Sequence, residues 1–416
     1  MKRMLVVVVL LALMLPAAAS AQSGDVTYPD PSGSFGVGRL SLYVKDDARD
    51  ETLTDDPGDR RELMLTVWYP ADPDPGAQPA PWLDDDLAAG VVALFGLDPA
   101  VLDRVHVHAL SGVPVSDAEA TYPVLIMLHG GDSSHAVLYT AFAEDLASHG
   151  YVVVGITHTY NALITVLPDG RALPMLEQAS PLYNLAGADA PLYDQMVGSW
   201  DQAQTVLELT TGDALFVLDQ LAEIDASDPA LGGRLDLDRI GMFGHSFGGA
   251  TAVEAMSRDG RIKAAADLDG SLWATDYGSA IGPLLFLCEE SMPVTEPVLV
   301  PPDEELAALG LTPEQAELLL GQFDAAYTAY TNAETAYSVT IAGTEHLNFG
   351  DSSLLSGLLA DVADQLGPID SVRALRITDD YLLAFFDTYL DGEPGDLLNG
   401  PSPYPEVTFE SHAPEG

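Results

Sequence analysis

Residues 239–256 constrain the fold more tightly than any other part of the 416-residue chain. Arg239-Ile240-Gly241-Met242-Phe243 is a short apolar run suited to a buried parallel strand, and Ala250-Thr251-Ala252-Val253-Glu254-Ala255-Met256 is a helix-forming segment. Between them lies Gly244-His245-Ser246-Phe247-Gly248-Gly249. A strand that turns into a helix at a serine needs small residues on both sides, because side chains there would collide across the turn. Gly244 and Gly248 remove them, so Ser246 can take strained backbone angles with its Oγ exposed. The pattern predicts a nucleophile elbow. A structural glycine-rich turn is the alternative.

A serine hydroxyl attacks poorly until a base takes its proton, and the base must itself be held by an acid. In an elbow-bearing α/β sheet the order is serine, acid, histidine, each at the carboxyl end of a strand. Downstream of Ser246 only His346 follows an apolar strand, Ser338-Val339-Thr340-Ile341; His412 sits in a proline-rich tail. His346 is therefore the expected general base. Four carboxylates compete for the third role: Asp267 and Asp269 after the next apolar run, and Glu289 and Glu290 after the one beyond it. Asp269 stands at the strand tip beside Gly270, where a loop can turn it toward His346, and is preferred. The tetrahedral intermediate needs two backbone donors. The amide of Phe247 is one, and Gly131, after the strand Val124-Leu125-Ile126-Met127-Leu128, is the natural second. A tight turn is the plainer reading of Gly130-Gly131.

The first residues do not belong to this unit. Lys2-Arg3, an apolar run from Met4 to Leu15, and the small residues Ala17-Ala18-Ala19-Ser20-Ala21 read as an export signal cleaved after Ala21. An exported chain often carries disulfides, but Cys288 is the only cysteine, so no internal bridge can form. It lies in the apolar run Leu284-Leu285-Phe286-Leu287-Cys288 and is expected to be a buried, inert thiol. The formal net charge is −48, and Lys45 and Lys263 are the only lysines beyond the signal. Such a surface repels nucleic acid and anionic membranes and suits a salty medium, where self-repulsion is screened. His106 and His108 alternate as on a strand with one polar face, without ligand-spaced partners, so neither a metal nor a cofactor is expected.

Along the chain, residues 39–44 and 62–70 read as strands within an acidic, proline-rich N-terminal extension. Leu87, Val91, Leu94, Phe95 and Leu102 recur near helical spacing, interrupted at Pro99. This segment is either core or an exposed apolar surface. A strand, a helix over 136–148 and a strand over 151–156 make a right-handed parallel crossover. Residues 159–198, with prolines at 168, 174, 181 and 191, read as an irregular insertion over the site. A helix over 202–224, the elbow, three further strands and a final helix over 379–390 complete a single α/β domain spanning residues 22–416.

With these residues placed, the chain resembles the platelet-activating-factor acetylhydrolase family, specifically its bacterial secreted members. The likeness rests on Gly244-His245-Ser246-Phe247-Gly248-Gly249-Ala250-Thr251, Leu268-Asp269-Gly270, Gly343-Thr344-Glu345-His346-Leu347-Asn348-Phe349, and the stretch from Arg61-Glu62-Leu63 to Trp68-Tyr69-Pro70-Ala71. It implies an α/β-hydrolase fold with a mostly parallel sheet, Asp269 as the acid and Gly131 as the second oxyanion donor. It also implies hydrolysis of short or oxidised sn-2 acyl groups of phospholipids, without calcium. Gly270 stands where relatives can carry a larger residue, which with residues 159–198 leaves the substrate open. A general carboxylesterase or polyester hydrolase, and a non-catalytic binding protein on the same scaffold, are the competing readings.

Overall fold

The computed structural model describes residues 24–412, except 73–75, 132–133, 182, 184–186, 188–189, 274–280, 298–299, 359–361 and 363–364. The expected export signal, residues 1–21, lies outside the described residues.

Ten strands make one sheet. In chain order they are β1 (Gly36–Asp50), β2 (Arg60–Ala71), β3 (Leu110–Ser111), β4 (Tyr122–Leu128), β5 (Val152–Thr157), β6 (Leu235–His245), β7 (Ile262–Leu268), β8 (Leu284–Glu289), β9 (Ala336–Ile341) and β10 (Val407–His412). The spatial order is β10-β9-β8-β7-β6-β4-β5-β2-β1-β3. The central run from β9 to β5 is parallel throughout, and β10 and β2 join it antiparallel. Alternation along each central strand feeds two apolar layers, one on each face. Val124, Ile126 and Leu128 enter the first, and Leu125 and Met127 the second. Against these faces pack the helices α2 (Thr140–Ser148), α3 (Leu192–Ser227), α4 (Phe247–Arg258) and α5 (Ser371–Phe386), while α1 (Asp85–Phe95) lies outside the core. This is the α/β-hydrolase architecture expected from the sequence.

Three boundaries depart from the reading of the sequence, each because a tertiary partner supplies what local pattern lacks. Strand β1 runs through the charged residues 45–50, since β2 pairs with it beyond its apolar part. There Asp46 is buried and takes the Arg49 Nε at 2.6 Å. Helix α3 starts ten residues early, inside the supposed insertion; Leu192, Tyr193, Met196 and Val197 are covered by Leu306, Leu311, Ala316 and Leu319. The proline-rich tail, read from the sequence without a regular element, holds the edge strand β10. Phe409 of β10 stacks on Tyr381 and Tyr337 at 6.1 Å between ring centroids.

Candidate active site

The tips of β4, β6, β7 and β9 converge at one end of the sheet. Because β6 lies between β4 and β7, the loop after Leu128 and the residue after Leu268 flank Ser246 from opposite sides.

Ser246 has φ 55° and ψ −121°, a conformation that costs a non-glycine residue energy and is held by its surroundings. Its amide donates to the Leu268 carbonyl at 2.8 Å. The flanking glycines are sterically required. A Cβ on Gly244 would lie 2.4 Å from the carbonyl carbon of Gly248, and one on Gly248 would lie 2.3 Å from the Leu128 oxygen. The elbow geometry follows directly from the motif.

His346 reaches Ser246 Oγ through Nε2 at 2.9 Å and Asp269 Oδ2 through Nδ1 at 2.7 Å. Its loop is pinned by Asn348, whose Oδ1 accepts from the amides of Glu345 and Gly367, both at 2.8 Å. Phe349 is wholly buried behind it. These contacts give the His-x-Asn-Phe run its physical meaning.

Asp269 also adopts a positive φ, 55°, and its second oxygen accepts from the Glu289 amide at 2.8 Å. The other three carboxylates are otherwise engaged. Asp267 turns back into the protein to accept from the Gly270 amide at 2.8 Å. Burial, with the nearby Asp269 charge, pushes its carboxyl up to about 8 despite that bond. Glu289 serves Asp269 with its backbone and accepts a bond from Ser291 on its side chain. Glu290 accepts from the Gly343 amide at 2.9 Å, in the turn that leads to His346. Burial of the imidazole acts to lower the His346 pKa, but the bond and charge of Asp269, aided by Glu289, prevail and leave it raised. The pair is built to hold a proton on the histidine.

Gly131 and Phe247 are also brought together. A Cβ on Gly131 would lie 3.6 Å from the Phe247 Cβ, and only 2.7 Å from Pro181 Cγ. Pro181, from the irregular segment, therefore roofs this loop. Phe247 is the first residue of α4, so its amide has no partner within the helix. Cys288 is buried, and burial pushes its thiol far up.

A second His–Asp pair, not singled out from the sequence, lies after β5. His158 Nδ1 bonds Asp213 Oδ2 at 2.9 Å, and Asp213 also receives Arg61 Nη2 at 2.6 Å, Arg61 Nε at 3.0 Å and Arg49 Nη2 at 2.8 Å. Arg61 Nη1 continues to Glu51 at 2.8 Å and the Thr159 carbonyl at 2.9 Å. Arg61 belongs to one of the stretches that carry the family resemblance, and its side chain is wholly buried. Asp213, in mid-helix, gave no local signal.

Among the described residues no three or more His, Cys, Asp or Glu side chains are grouped to hold a metal, and no helix is long and apolar enough to cross a membrane.

The fold and the sequence have solved and curated counterparts. A ferulic acid esterase from Streptomyces cinnamoneus has the same fold with a TM-score of 0.67 and 28% identity, over 93% of this chain and 99% of that one. A probable 1-alkyl-2-acetylglycerophosphocholine esterase of Arthroderma benhamiae is 25% identical across 96% of this chain and 98% of its own length. Fold and relatives together define a hydrolase of carboxylic esters. More narrowly, the profile of the family described as "Platelet-activating factor acetylhydrolase, isoform II" matches residues 20–187 and 200–396, and the chain belongs to that family. The platelet-activating factor acetylhydrolase of Canis lupus familiaris is 25% identical over 90% of this chain and 80% of its own.

Proposed function

We propose that this protein is an exported serine esterase that removes short or oxidised sn-2 acyl groups from phospholipids. The observation that carries the chemistry is the unbroken hydrogen-bonded series Asp269–His346–Ser246, with spacings of 2.7 and 2.9 Å at the tips of three strands. In this reading Ser246 Oγ attacks the ester carbonyl while His346 Nε2 takes its proton. Asp269 holds the tautomer that leaves Nε2 free to accept and stabilises the imidazolium that forms. The amides of Phe247 and Gly131 receive the oxyanion. His346 then returns the proton to the departing alcohol, leaving an acyl-Ser246 that water cleaves by the same steps in reverse. No step calls on a metal or cofactor. The apolar run ahead of Ala21 supports export by a cleaved signal.

Helix α1 bears on how lipid arrives. None of its residues is buried, so it is not the core element that its periodicity allowed. Leu94 and Phe95 are 45% and 52% exposed, while the helix rests through Gly90 on Ile164 and Val166. An apolar tip without lysine or arginine suits a neutral, zwitterionic interface, with contact strengthened by salt. The joint substitution of Leu94→Asp and Phe95→Asp should weaken hydrolysis of vesicle lipid several-fold while sparing soluble esters; equal loss on both would remove α1 from this role.

A broader carboxylesterase acting on aromatic esters is the second reading. It is favoured by the similarity to a ferulic acid esterase and by Trp273, which lies 6.4 Å from Phe247 and 5.0 Å from Trp200 between ring centroids. Acyl chain lengths compared on phospholipid, nitrophenyl and feruloyl esters divide the two. The phospholipase reading requires acetyl phospholipid to give the highest kcat/KM.

A further inference from the structure

The loop that carries Gly131 is tied down by a set of neutral side chains that take no part in the proton transfer described above. His129 Nδ1 lies 2.6 Å from the Gly130 carbonyl oxygen, so it must donate there, and His129 Nε2 accepts from the His158 amide at 3.1 Å. One tautomer satisfies both contacts. A trans peptide is planar, with its C=O and N–H pointing in opposite directions. Fixing the Gly130 carbonyl on His129 therefore aims the Gly131 N–H the other way, in a residue whose Cβ would lie 3.6 Å from that of Phe247.

The preceding amide is held as well. Gly130 N donates to the Tyr139 hydroxyl at 3.2 Å. That hydroxyl lies 2.9 Å from His245 Nδ1 and 3.0 Å from Ser134 Oγ, and His245 Nε2 lies 3.0 Å from the carbonyl oxygen of His346. The directions follow without freedom. A carbonyl can only accept, so His245 Nε2 donates to His346; its neutral Nδ1 then accepts the single Tyr139 proton, and Ser134 donates to Tyr139. Burial, and the nearby His158 and His346 respectively, keep His129 and His245 well below the usual histidine range, so both stay neutral and keep one donor and one acceptor each.

From this geometry we infer that Tyr139 and His245 are positioning residues, bridging the backbone of the Gly131 loop to the backbone of His346, while His129 presets the Gly131 amide as an oxyanion donor. The bridge couples two parts of the site that the sheet order separates: the loop after β4 and the loop after β9. Preorganised donors stabilise a transition state because they need no reorientation when charge develops. A loosened loop would lose that advantage while still admitting substrate. The inference rests on the roles assigned above to Ser246, His346 and Gly131.

The test is Tyr139→Phe, which removes one hydroxyl and no packing volume, compared with His245→Leu and His245→Gln, the last keeping a donor and an acceptor. Each is assayed for kcat and KM on nitrophenyl acetate, for inhibition by a trifluoromethyl ketone, whose tetrahedral adduct carries the same oxyanion, and for Tm, with Ser246→Ala alongside. Tyr139→Phe should lower kcat about tenfold, the scale of one net hydrogen bond, with KM within twofold. Its inhibitor Ki should rise in step with the fall in kcat/KM. His245→Gln should retain more kcat than His245→Leu, and Tyr139→Phe combined with His245→Leu should lose less than the product of the two single losses. A Tyr139→Phe enzyme with kcat and Ki within twofold of wild type, where Ser246→Ala is inactive, overturns the inference alone. So does a loss shared equally by kcat, KM and Tm, since that is damage to the fold. Activity surviving in Ser246→Ala would instead remove the assignment on which the inference stands.

Discussion

Two histidine–aspartate pairs occur in this one chain, with nearly the same bond: His346–Asp269 at 2.7 Å and His158–Asp213 at 2.9 Å. Their surroundings differ in two respects. A third of the His346 side chain is exposed and its free nitrogen meets a serine, whereas His158 is sealed in and its Nε2 has no partner among the described residues. The carboxylates differ too. Asp213 is already bonded by Arg61 and Arg49, so its charge is largely spent on them; burial dominates, and the His158 pKa is lowered. Among the described residues Asp269 bonds no arginine, meeting the Glu289 amide besides His346, and its bond and charge overcome burial to raise the His346 pKa. In the proposed mechanism, the His–Asp pair that serves as base is the one whose carboxylate charge is left for the imidazolium and whose other nitrogen faces the serine. The other pair is a buried tie.

Breaking each pair should separate chemistry from stability. Asp269→Asn should cut kcat/KM by about three to four powers of ten, by favouring the wrong histidine tautomer, with Tm little changed. Asp213→Asn should do the opposite. It leaves two arginines facing a neutral group in a buried site, at a cost of about 3–5 kcal/mol in stability, while kcat/KM of the folded fraction stays within tenfold of wild type. A large Tm loss in the first variant, or a thousandfold activity loss without unfolding in the second, would dissolve the contrast.

The pH profile sharpens the same comparison. In the proposed mechanism His346 must be neutral to act, and its pKa is raised, so kcat/KM on a soluble ester should climb with pH through a midpoint above the ordinary histidine value of about 6.5. Residual activity in Asp269→Asn should show that midpoint moved down.

The smallest effect expected is at Asp267. Its folded-state pKa of about 8 exceeds the unfolded carboxylate value of about 4. Its contribution to stability is therefore fully present below the unfolded value and is lost as pH rises through the folded one. Asp267→Asn keeps an acceptor for Gly270, so its Tm relative to wild type should increase between pH 5 and 9, with kcat/KM within a few-fold. A flat difference across that range would mean that Asp267 is not held neutral.

Much of this site could be read from residues because its parts are local. The elbow needs Gly244 and Gly248 within a few residues of Ser246, and Asn348 pins the His346 loop from two positions away. The position of Asp269 at the strand tip makes its contact with His346 legible from local sequence, although the Glu289 amide that also binds it comes from the next strand. What escaped the reading depends on distant partners. Asp213 lies in mid-helix, 152 residues from Arg61, and Tyr139 stands in a short turn where nothing marks its hydroxyl. His245 was inside the motif but occupies its variable place. The same holds for the fold: the early turns of α3 and the edge strand β10 take their stability from Leu319 and Tyr337, which no local window contains.

The account stands most directly on covalent capture of the nucleophile. Wild type, Ser246→Ala, Asp269→Asn and Asp213→Asn should each be treated with a fluorophosphonate near neutral pH and followed by intact mass and peptide mapping. The expected result is one adduct per chain on Ser246. It should form rapidly in wild type and folded Asp213→Asn, at least a hundredfold more slowly in Asp269→Asn, and not at all in Ser246→Ala. An enzyme that hydrolyses esters while Ser246 stays unlabelled, or that labels equally fast after Asp269→Asn, would contradict it.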